Sequence, residues 1–147
     1  MEQAATVQLM DERIASFMSG QTSLTLAVSS NNEPYCATCF YSYIKDGHLL
    51  VIKSKPTTAH ARIAEKNPLV AGTILPDKMD KTRIRGIQFT GKIIIPDRSA
   101  MNRARDGYYI KFPFALTFTG ELIVIQLLRV KYTDSLLGLG ERLTWPK

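Results

Sequence analysis

The sequence predicts a mainly β protein with inserted helices (an α+β fold), in which about six antiparallel strands form a closed or partly closed barrel. Two observations lead to this fold class. Two short turn sequences, NNEP at 31–34 and KDG at 45–47, join three apolar stretches into an antiparallel meander. Helical patterns occur only singly along the chain, which does not suit a doubly wound parallel sheet. The 147 residues show no repeat or linker, and we expect one domain over 1–147.

The first element is a predicted N-terminal helix over residues 4–19. Apolar residues recur there at three- and four-residue spacing from Val7 to Phe17, and Gly20 is a natural terminator. The three strands of the meander follow in TSLTLAVSS, YCATCFYSYI and HLLVIK. Apolar and polar residues alternate in the first of these strands, so we expect it to be half buried.

The second half of the chain mixes helices with further strands. One helix is predicted over 58–66 and another over 97–111, with Asp97 as the cap of the latter. The strands are LVAGTIL, IRGIQFTGKIII and ELIVIQLLRVKYT. Gly86 and Gly91 indicate a bend or a bulge in the second of these. FPFALTFTG is ambiguous, with a short helical turn as one option, and the tail DSLLGLGERLTWPK is predicted to be irregular.

The formal net charge of +6 favours anionic partners, such as phosphate groups, acidic small molecules or nucleic acid. The N-terminal residues lack the basic and then apolar order of a secretory signal. The longest apolar runs are far shorter than a membrane-spanning helix. We therefore expect a cytoplasmic protein with no membrane partner.

Cys36 and Cys39 form a CxxC pattern, which is typical of redox and zinc sites. They lie, however, in a predicted strand, where residues three apart point to opposite faces and are about 10 Å apart. A disulfide needs Cα atoms within about 7 Å, and no second cysteine pair completes a zinc site. We expect two small buried thiols and no metal site.

The junction between the third strand and the second helix, KSKPTTAHA at 53–61, has the composition of an anion site. The first N–H groups of a helix have no internal partner and carry partial positive charge, which favours an anion. Hydroxyl, imidazole and cationic groups lie near this helix start in Lys53, Lys55, Thr57, Thr58, His60 and Arg62. The alternative is that Thr58 is only a cap, the lysines are solvated and His60 lies at the surface.

Gln88 in the fifth strand is a further polar candidate. Alternation places it with Gly86 and Thr90 on one face, where neighbouring glycines leave room for something flat. Pairing of Gln88 with a neighbouring backbone is the structural alternative. Signatures such as a phosphate loop, HExxH or a nucleophile elbow do not occur in the sequence. His48 follows a predicted turn and is expected to be exposed.

A nucleic-acid-binding β-barrel is a more remote alternative. Tyr35, Tyr41 and Tyr43 lie on one face of a predicted strand, as a platform for stacked bases requires. The same aromatic side chains fit a core or a dimer interface at least as well. The basic residues between 98 and 111 are typical of a solvated helix face.

Five motifs resemble the pyridoxamine 5′-phosphate oxidase-like, FMN-binding split-barrel superfamily, and more narrowly a small bacterial branch of it. They are TTAHA at 57–61, VAGTI at 70–74, IRGIQFTGKI at 84–93, KFPFA at 111–115 and KYTDSLLGLGERLTW at 131–145. With the matching order of strands, the resemblance covers nearly the whole chain. It implies a six-stranded split barrel preceded by a helix, and a homodimer.

The resemblance also implies FMN as the cofactor, held at the interface of the homodimer. The residues implied around its phosphate and ribityl chain are Lys53, Ser54, Thr57, Thr58 and His60. Those implied along the isoalloxazine ring are Cys36, Ala37, Thr38 and Cys39, with Gln88 of this or the partner subunit at the ring edge. Trp145 is implied as a cover of the site or as a contact with the partner.

Two departures from the superfamily pattern limit the expected chemistry. Members commonly present Arg or Lys to the phosphate where this chain has His60, and a neutral imidazole contributes less charge. The arginine pair with which the true oxidase grips its substrate is not evident. We therefore expect an FMN-dependent oxidoreductase acting on an unidentified small molecule, and not pyridoxamine phosphate oxidation. The alternative is a non-catalytic flavin, deazaflavin or haem binding protein.

Overall fold

The computed structural model describes residues 8–137 and 142–147, which form one antiparallel sheet and three α-helices. In chain order these elements are α1 (Glu12–Gly20), β1 (Ser23–Ser30), β2 (Glu33–Ile44), β3 (Leu49–Ser54), α2 (Ala59–Lys66), β4 (Leu69–Ile74), β5 (Arg85–Ile94), α3 (Arg98–Lys111), β6 (Glu121–Asp134) and β7 (Arg142–Trp145). Short 3-10 helices cover Pro113–Thr117 and Ser135–Leu137. The segment FPFALTFTG, for which the sequence pattern was ambiguous, thus contains a short helical turn.

The sheet closes into a six-stranded barrel. Its strand order is β3-β2-β1-β4-β5-β6-β7, and an additional pairing of β3 with β6 joins the two sides. The predicted six-stranded antiparallel barrel with inserted helices is therefore confirmed. A register shift between Thr90 and Gly91 leaves Leu128 of β6 as the extra residue. The irregularity expected at Gly91 is therefore present in the β5–β6 pairing, but the bulged residue belongs to β6 and not to β5.

The core of the barrel follows from period-two alternation along the strands. In β1, Leu24, Leu26 and Val28 are buried, while the residues between them are half-buried and face outwards. Ile14 and Phe17 of α1 join these side chains in the same apolar cluster. A second, smaller cluster forms where α3 covers the outer side of β2 and β3. Within the described residues, no helix combines the length and apolar character needed to cross a bilayer.

The first helix is shorter than the sequence pattern suggests. It begins at Glu12, because the carboxylate of Asp11 accepts a hydrogen bond from the Arg13 amide at 2.8 Å and caps the helix there. The prediction of a start at residue 4 is wrong for residues 8–11, which are not helical. Met10 is nevertheless buried, as the apolar spacing predicted. Residues 1–7, including Val7, lie outside the described residues.

The C-terminal tail is more regular than predicted. Its end forms β7, which pairs with β6 from Val130 to Thr133. The indole N–H of Trp145 donates to the Gln8 carbonyl at 2.8 Å, so the two ends of the described chain meet at this strand. The prediction of an irregular tail is therefore wrong for 142–145, because pairing with β6 orders this short segment. Residues 138–141 lie outside the described residues.

His48 is buried, which contradicts the expectation that it would be exposed. Only 7% of its surface is accessible, and its ring lies 4.8 Å from that of Trp145. Its Nδ1 is 3.3 Å from the Tyr43 hydroxyl, and burial lowers the pKa of the imidazole. The turn itself is present, but β7 brings Trp145 over it from a distant part of the chain.

Candidate functional site

Three polar side chains meet at the junction of β3 and α2, which we call the junction cluster. Ser54 is the last residue of β3, and its Oγ lies 2.7 Å from Nε2 of His60 in the first turn of α2. The Thr58 hydroxyl lies 3.4 Å from the same nitrogen. Ser54 is buried, whereas Thr58 and His60 are half-buried. The structure therefore brings together three of the predicted site residues, while Thr57 lies exposed beside them.

The start of α2 is arranged as the sequence predicted. Thr58 is the N-cap, with its Oγ1 accepting from the Ala61 amide at 3.3 Å and donating to the Lys55 carbonyl at 2.9 Å. The first turn carries no acidic residue, so no side chain of that turn offsets the partial positive charge of the helix start. The junction cluster therefore adds hydroxyl and imidazole groups to an end of a helix that favours anions.

The protonation of His60 sets the charge of the junction cluster. Burial lowers the pKa of its imidazole below the usual value of 6.5. At pH 7 the ring is therefore neutral, with one nitrogen that donates and one that accepts a hydrogen bond. His60 contributes hydrogen-bonding capacity but no full positive charge at neutral pH.

Lys53 contacts backbone carbonyls, whereas the resemblance implies that it contacts a phosphate. Its Nζ donates to the carbonyls of Ala115 and Phe118, both at 2.7 Å, and lies 5.0 Å from the centre of the Tyr109 ring. The amine thus ties the 3-10 helix at Pro113–Thr117 to β3. Lys55 and Arg62, which flank the junction cluster in sequence, are exposed instead.

The two cysteines lie on opposite faces of β2, as its alternation predicted. Cys39 is 8% exposed inside the barrel, where burial raises the pKa of its thiol and a hydrogen bond with Ser54 acts in the opposite direction. Cys36 and Thr38 are exposed on the outer face, and Ala37 is half-buried. The expectation of two buried thiols is therefore wrong for Cys36, because this part of β2 extends beyond the cover of α3.

A row of polar side chains crosses the outer face of six adjacent strands. The register pairs its members in the order Thr38, Thr25, Thr73, Gln88, Lys131 and Thr144, which we call the polar row. Beside it runs a second row, which we call the small row, made of Cys36, Ala27, Ala71, Thr90 and Arg129. Sequence reasoning found only Thr38, Gln88 and Cys36 of these. The alternation of β1 and β4 places Thr25, Ala27, Ala71 and Thr73 on the outer face. Their alignment with residues of the other strands depends on the register of the sheet.

All members of the two rows except Thr38 line a shallow groove of about 960 Å³, which we call the outer groove. Cationic side chains are confined to its β6 and β7 side, in Arg129, Lys131 and Lys147. Gln88 is exposed in this groove, as its alternation predicted. Trp145 also borders the groove, although it is only 6% exposed.

Gln88 and the junction cluster are far apart within one chain. Ser54 pairs with Glu121 of β6 and Gln88 pairs with Lys131 of the same strand, which are ten residues and thus about 33 Å apart along the strand at the usual rise. The structure therefore assembles the predicted site residues in two places. One is the junction cluster, and the other is the outer groove.

The tyrosines that suggested a nucleic-acid platform do share one face of β2. That face points into the barrel at Tyr41 and Tyr43, which are buried, and the Tyr41 hydroxyl donates to the Met18 carbonyl. Burial raises the pKa of Tyr43 to about 12. Only Tyr35 is exposed, so these side chains offer no stacking platform for bases.

Comparison with other sequences identifies close relatives of this chain. It is 33% identical over 131 residues to UPF0306 proteins of Yersinia pestis and Yersinia pseudotuberculosis. The match covers 89% of this chain and 89% of each relative. No protein-family model matches the chain.

Comparison with solved structures finds other proteins that share the fold of this chain. A haem-binding protein from Mycobacterium smegmatis superposes with a TM-score of 0.72 at 16% identity, over 87% of this chain and 54% of its own. This chain therefore spans about half the length of that protein. A FAD-binding protein from Mesorhizobium loti gives a TM-score of 0.67 at 17% identity, over 88% of this chain and 99% of its own. At these identities the likeness shows the fold alone.

Proposed function

The chain belongs to the UPF0306 family, and from its fold and its site we propose that it is a homodimeric flavoprotein that binds FMN. The observation that carries this proposal is the junction cluster, in which Ser54, Thr58 and His60 converge at a helix start. Hydroxyl groups, a neutral imidazole and helix amides are donors that suit a phosphate. The resemblance of the sequence motifs to FMN-binding proteins, and a FAD-binding structural neighbour, support a flavin.

The residues that would hold FMN divide between the junction cluster and the outer groove. Ser54, Thr57, Thr58 and His60 would hold the phosphate, with Lys55 and Arg62 supplying the nearby charge. Lys53 would contribute by fixing the end of β3 rather than by contacting the phosphate, because its amine is engaged with two carbonyls. The residues proposed along the ring are Cys36, Gln88 and Trp145, which line the outer groove, and the adjoining β2 residues Ala37, Thr38 and Cys39. Cys39 would contribute its backbone, because its side chain lies inside the barrel. The outer groove fits a flat ring, since its centre is lined mainly by small side chains.

Electron transfer would be the chemistry of the bound cofactor, since FMN accepts and donates hydride. The chain itself would anchor the phosphate, and Gln88 would hydrogen-bond the ring edge. The substrate would be a small molecule. We propose that the protein is an oxidoreductase because a bound flavin would supply redox chemistry.

Haem is a poorer match to this chain than FMN. An imidazole that ligates haem iron, as in globins and peroxidases, must point a nitrogen into an open space, and the chain has two histidines. Nε2 of His60 faces the Ser54 hydroxyl, whereas His48 is buried between Tyr43 and Trp145. Haem ligation would therefore require one of these two contacts to break.

The first test is the visible absorption spectrum of the untagged protein, as purified and again after incubation with FMN and removal of the excess. We expect a retained flavin spectrum, and release of FMN on denaturation. Anaerobic addition of NADH or NADPH should then bleach the flavin band. A protein that retains no FMN would contradict the proposal, whereas retained flavin that no donor reduces would favour the non-catalytic binding alternative.

The homodimer is proposed because Gln88 lies in the outer groove, far from the junction cluster of its own chain. In a dimer, Gln88 of one copy would reach a cofactor held at the junction cluster of the other copy. Ala71→Glu places a carboxylate in the middle of the small row, where a second copy would desolvate it. We expect wild type to sediment as a dimer and Ala71→Glu to weaken dimerisation at least about 100-fold. Asn102→Glu, an exposed position on α3, is the matched control. A monomeric wild type, or an undisturbed Ala71→Glu dimer, would refute this interface.

A further inference from the structure

A second groove lies at one end of the barrel, away from the junction cluster and the outer groove. It has a volume of about 440 Å³ and lies between α1 and the ends of β5 and β6. Its lining includes Ser16, Phe17, Arg83, Arg85 and Tyr132, none of which lines the outer groove. We call it the end groove.

The acidic groups in the end groove already have partners. Asp134 accepts from Nε and Nη2 of Arg83 at 3.0 and 2.6 Å, from the Tyr132 hydroxyl at 3.2 Å and from the Leu136 amide at 3.0 Å. The Arg83 hydrogen bonds hold the pKa of Asp134 at about 2. Glu12, the other acid of this groove, pairs with Lys45 at 2.6 Å.

Three arginines line the end groove, and two of them have acidic partners: Arg83 pairs with Asp134, and Arg13 pairs with Asp11 at 2.9 Å. Arg85 is the third arginine and has no such partner among the described residues. It stands opposite Asp134 in the sheet register, yet the Asp134 carboxylate is bonded to Arg83 instead. Its Nε is buried and makes no hydrogen bond among the described residues. Its guanidinium lies 5.2 Å from the centre of the Phe17 ring, which holds the charge in place without neutralising it. Because its Nε is closed to solvent, an anionic ligand would pair with the other N–H groups of this guanidinium, which forms no salt bridge among the described residues.

The walls of the end groove indicate which anion would suit it. Phe17 and Tyr132 form a ring pair at 5.2 Å next to the guanidinium, and although only 5% and 4% of their surfaces are exposed, both rings border the groove. A guanidinium matches a planar carboxylate through two parallel hydrogen bonds, and a single unpaired cation matches a single negative charge. Grooves of this volume admit small organic molecules.

We propose that the end groove binds a small organic acid, with Arg85 pairing its carboxylate and Phe17 and Tyr132 contacting its apolar body. The ligand class is a monocarboxylate with an apolar or aromatic body. This site is separate from the proposed flavin site, and neither proposal depends on the other.

The test uses benzoate as the probe and benzamide as its neutral counterpart, both titrated into the full chain and followed by amide chemical shifts. We expect benzoate to shift amides of residues around Phe17 and Arg85, and benzamide to bind at least about 10-fold more weakly. Arg85→Gln should weaken benzoate binding by about 10- to 100-fold, and Arg85→Lys by less because it retains the charge. Arg98→Gln, at the exposed start of α3, should bind benzoate like wild type.

Several results would overturn the proposal. They are a wild type that does not bind benzoate, benzamide binding as tightly as benzoate, and Arg85→Gln binding benzoate unchanged. Urea unfolding of each variant identifies a loss of binding that comes from a loss of folding. If Arg85→Gln is too unstable to titrate, Arg85→Lys decides the question, since an unchanged affinity for benzoate in that variant would refute the role of the planar guanidinium.

Discussion

Gly72→Ala is expected to destabilise the barrel by at least about 3 kcal/mol, at the upper end of the cost of an overpacked core. A Cβ at this position would meet the Phe89 ring and the Thr25 carbonyl oxygen closer than 3.0 Å, a separation that real Cβ atoms essentially never show. The ring could turn away, but the carbonyl belongs to β1, which is paired with strands on both sides. Because native domains are stable by only about 5–15 kcal/mol, such a loss is large.

Urea denaturation followed by circular dichroism measures this loss. Gly20→Ala is the matched control, because nothing lies within 4 Å of a Cβ at that helix end. It should change the free energy of unfolding by no more than about 1 kcal/mol, and in the stabilising direction if at all. Equal unfolding midpoints for the two variants would show that β1 and β4 can separate at Gly72 without cost.

The largest expected effect on binding is that of Thr58→Ala combined with His60→Ala. This variant should bind FMN at least about 100-fold more weakly than wild type, since it removes two hydrogen-bonding groups at a charged phosphate. The Ser54 hydroxyl would remain, but without the imidazole that now lies 2.7 Å from it. Flavin fluorescence quenching during titration measures the dissociation constant.

Riboflavin provides the control for this prediction, because it has the ring of FMN and lacks the phosphate. The double variant should bind riboflavin as wild type does, so the loss is confined to FMN. Thr58→Ser with His60→Gln retains a hydroxyl and a donor, and should keep FMN affinity within about 10-fold of wild type. Thr58→Ala also removes the helix cap, at about 1 kcal/mol, so thermal unfolding of each variant is measured in parallel. An unchanged FMN affinity, or an equal loss for both ligands, would place the phosphate elsewhere.

Local features of the chain could be predicted from the sequence with good accuracy. The buried side chains of β1 follow from strict alternation, since successive side chains in a strand face opposite ways. Thr58 and Asp97 cap α2 and α3 as predicted, because a cap depends only on residues two or three positions away. The same local rule shortens α1, where Asp11 within the apolar pattern caps the helix.

The candidate site was predictable only in part. The junction cluster lies within seven consecutive residues, and its members were all named from the sequence. The polar row was not, because Thr25, Thr73 and Lys131 are joined to Gln88 only through the register of four strands. Alternation identifies the outer face of each strand, but a shift of two residues between neighbours would preserve every face and break the row.

The sequence of this protein was sufficient for most of its elements and for Thr58 and His60 of the junction cluster, because these depend on short-range periodicity and capping; Ser54 was implied by the resemblance. The β6–β7 pairing, the burial of His48 beneath Trp145 and the contacts of Lys53 required the folded chain. Lys53 is 62 and 65 positions away from its two carbonyl acceptors, and no residue near Lys53 in the sequence predicts these hydrogen bonds. Such contacts arise only when the closed sheet brings distant segments together, and the end groove around Arg85 arises in the same way.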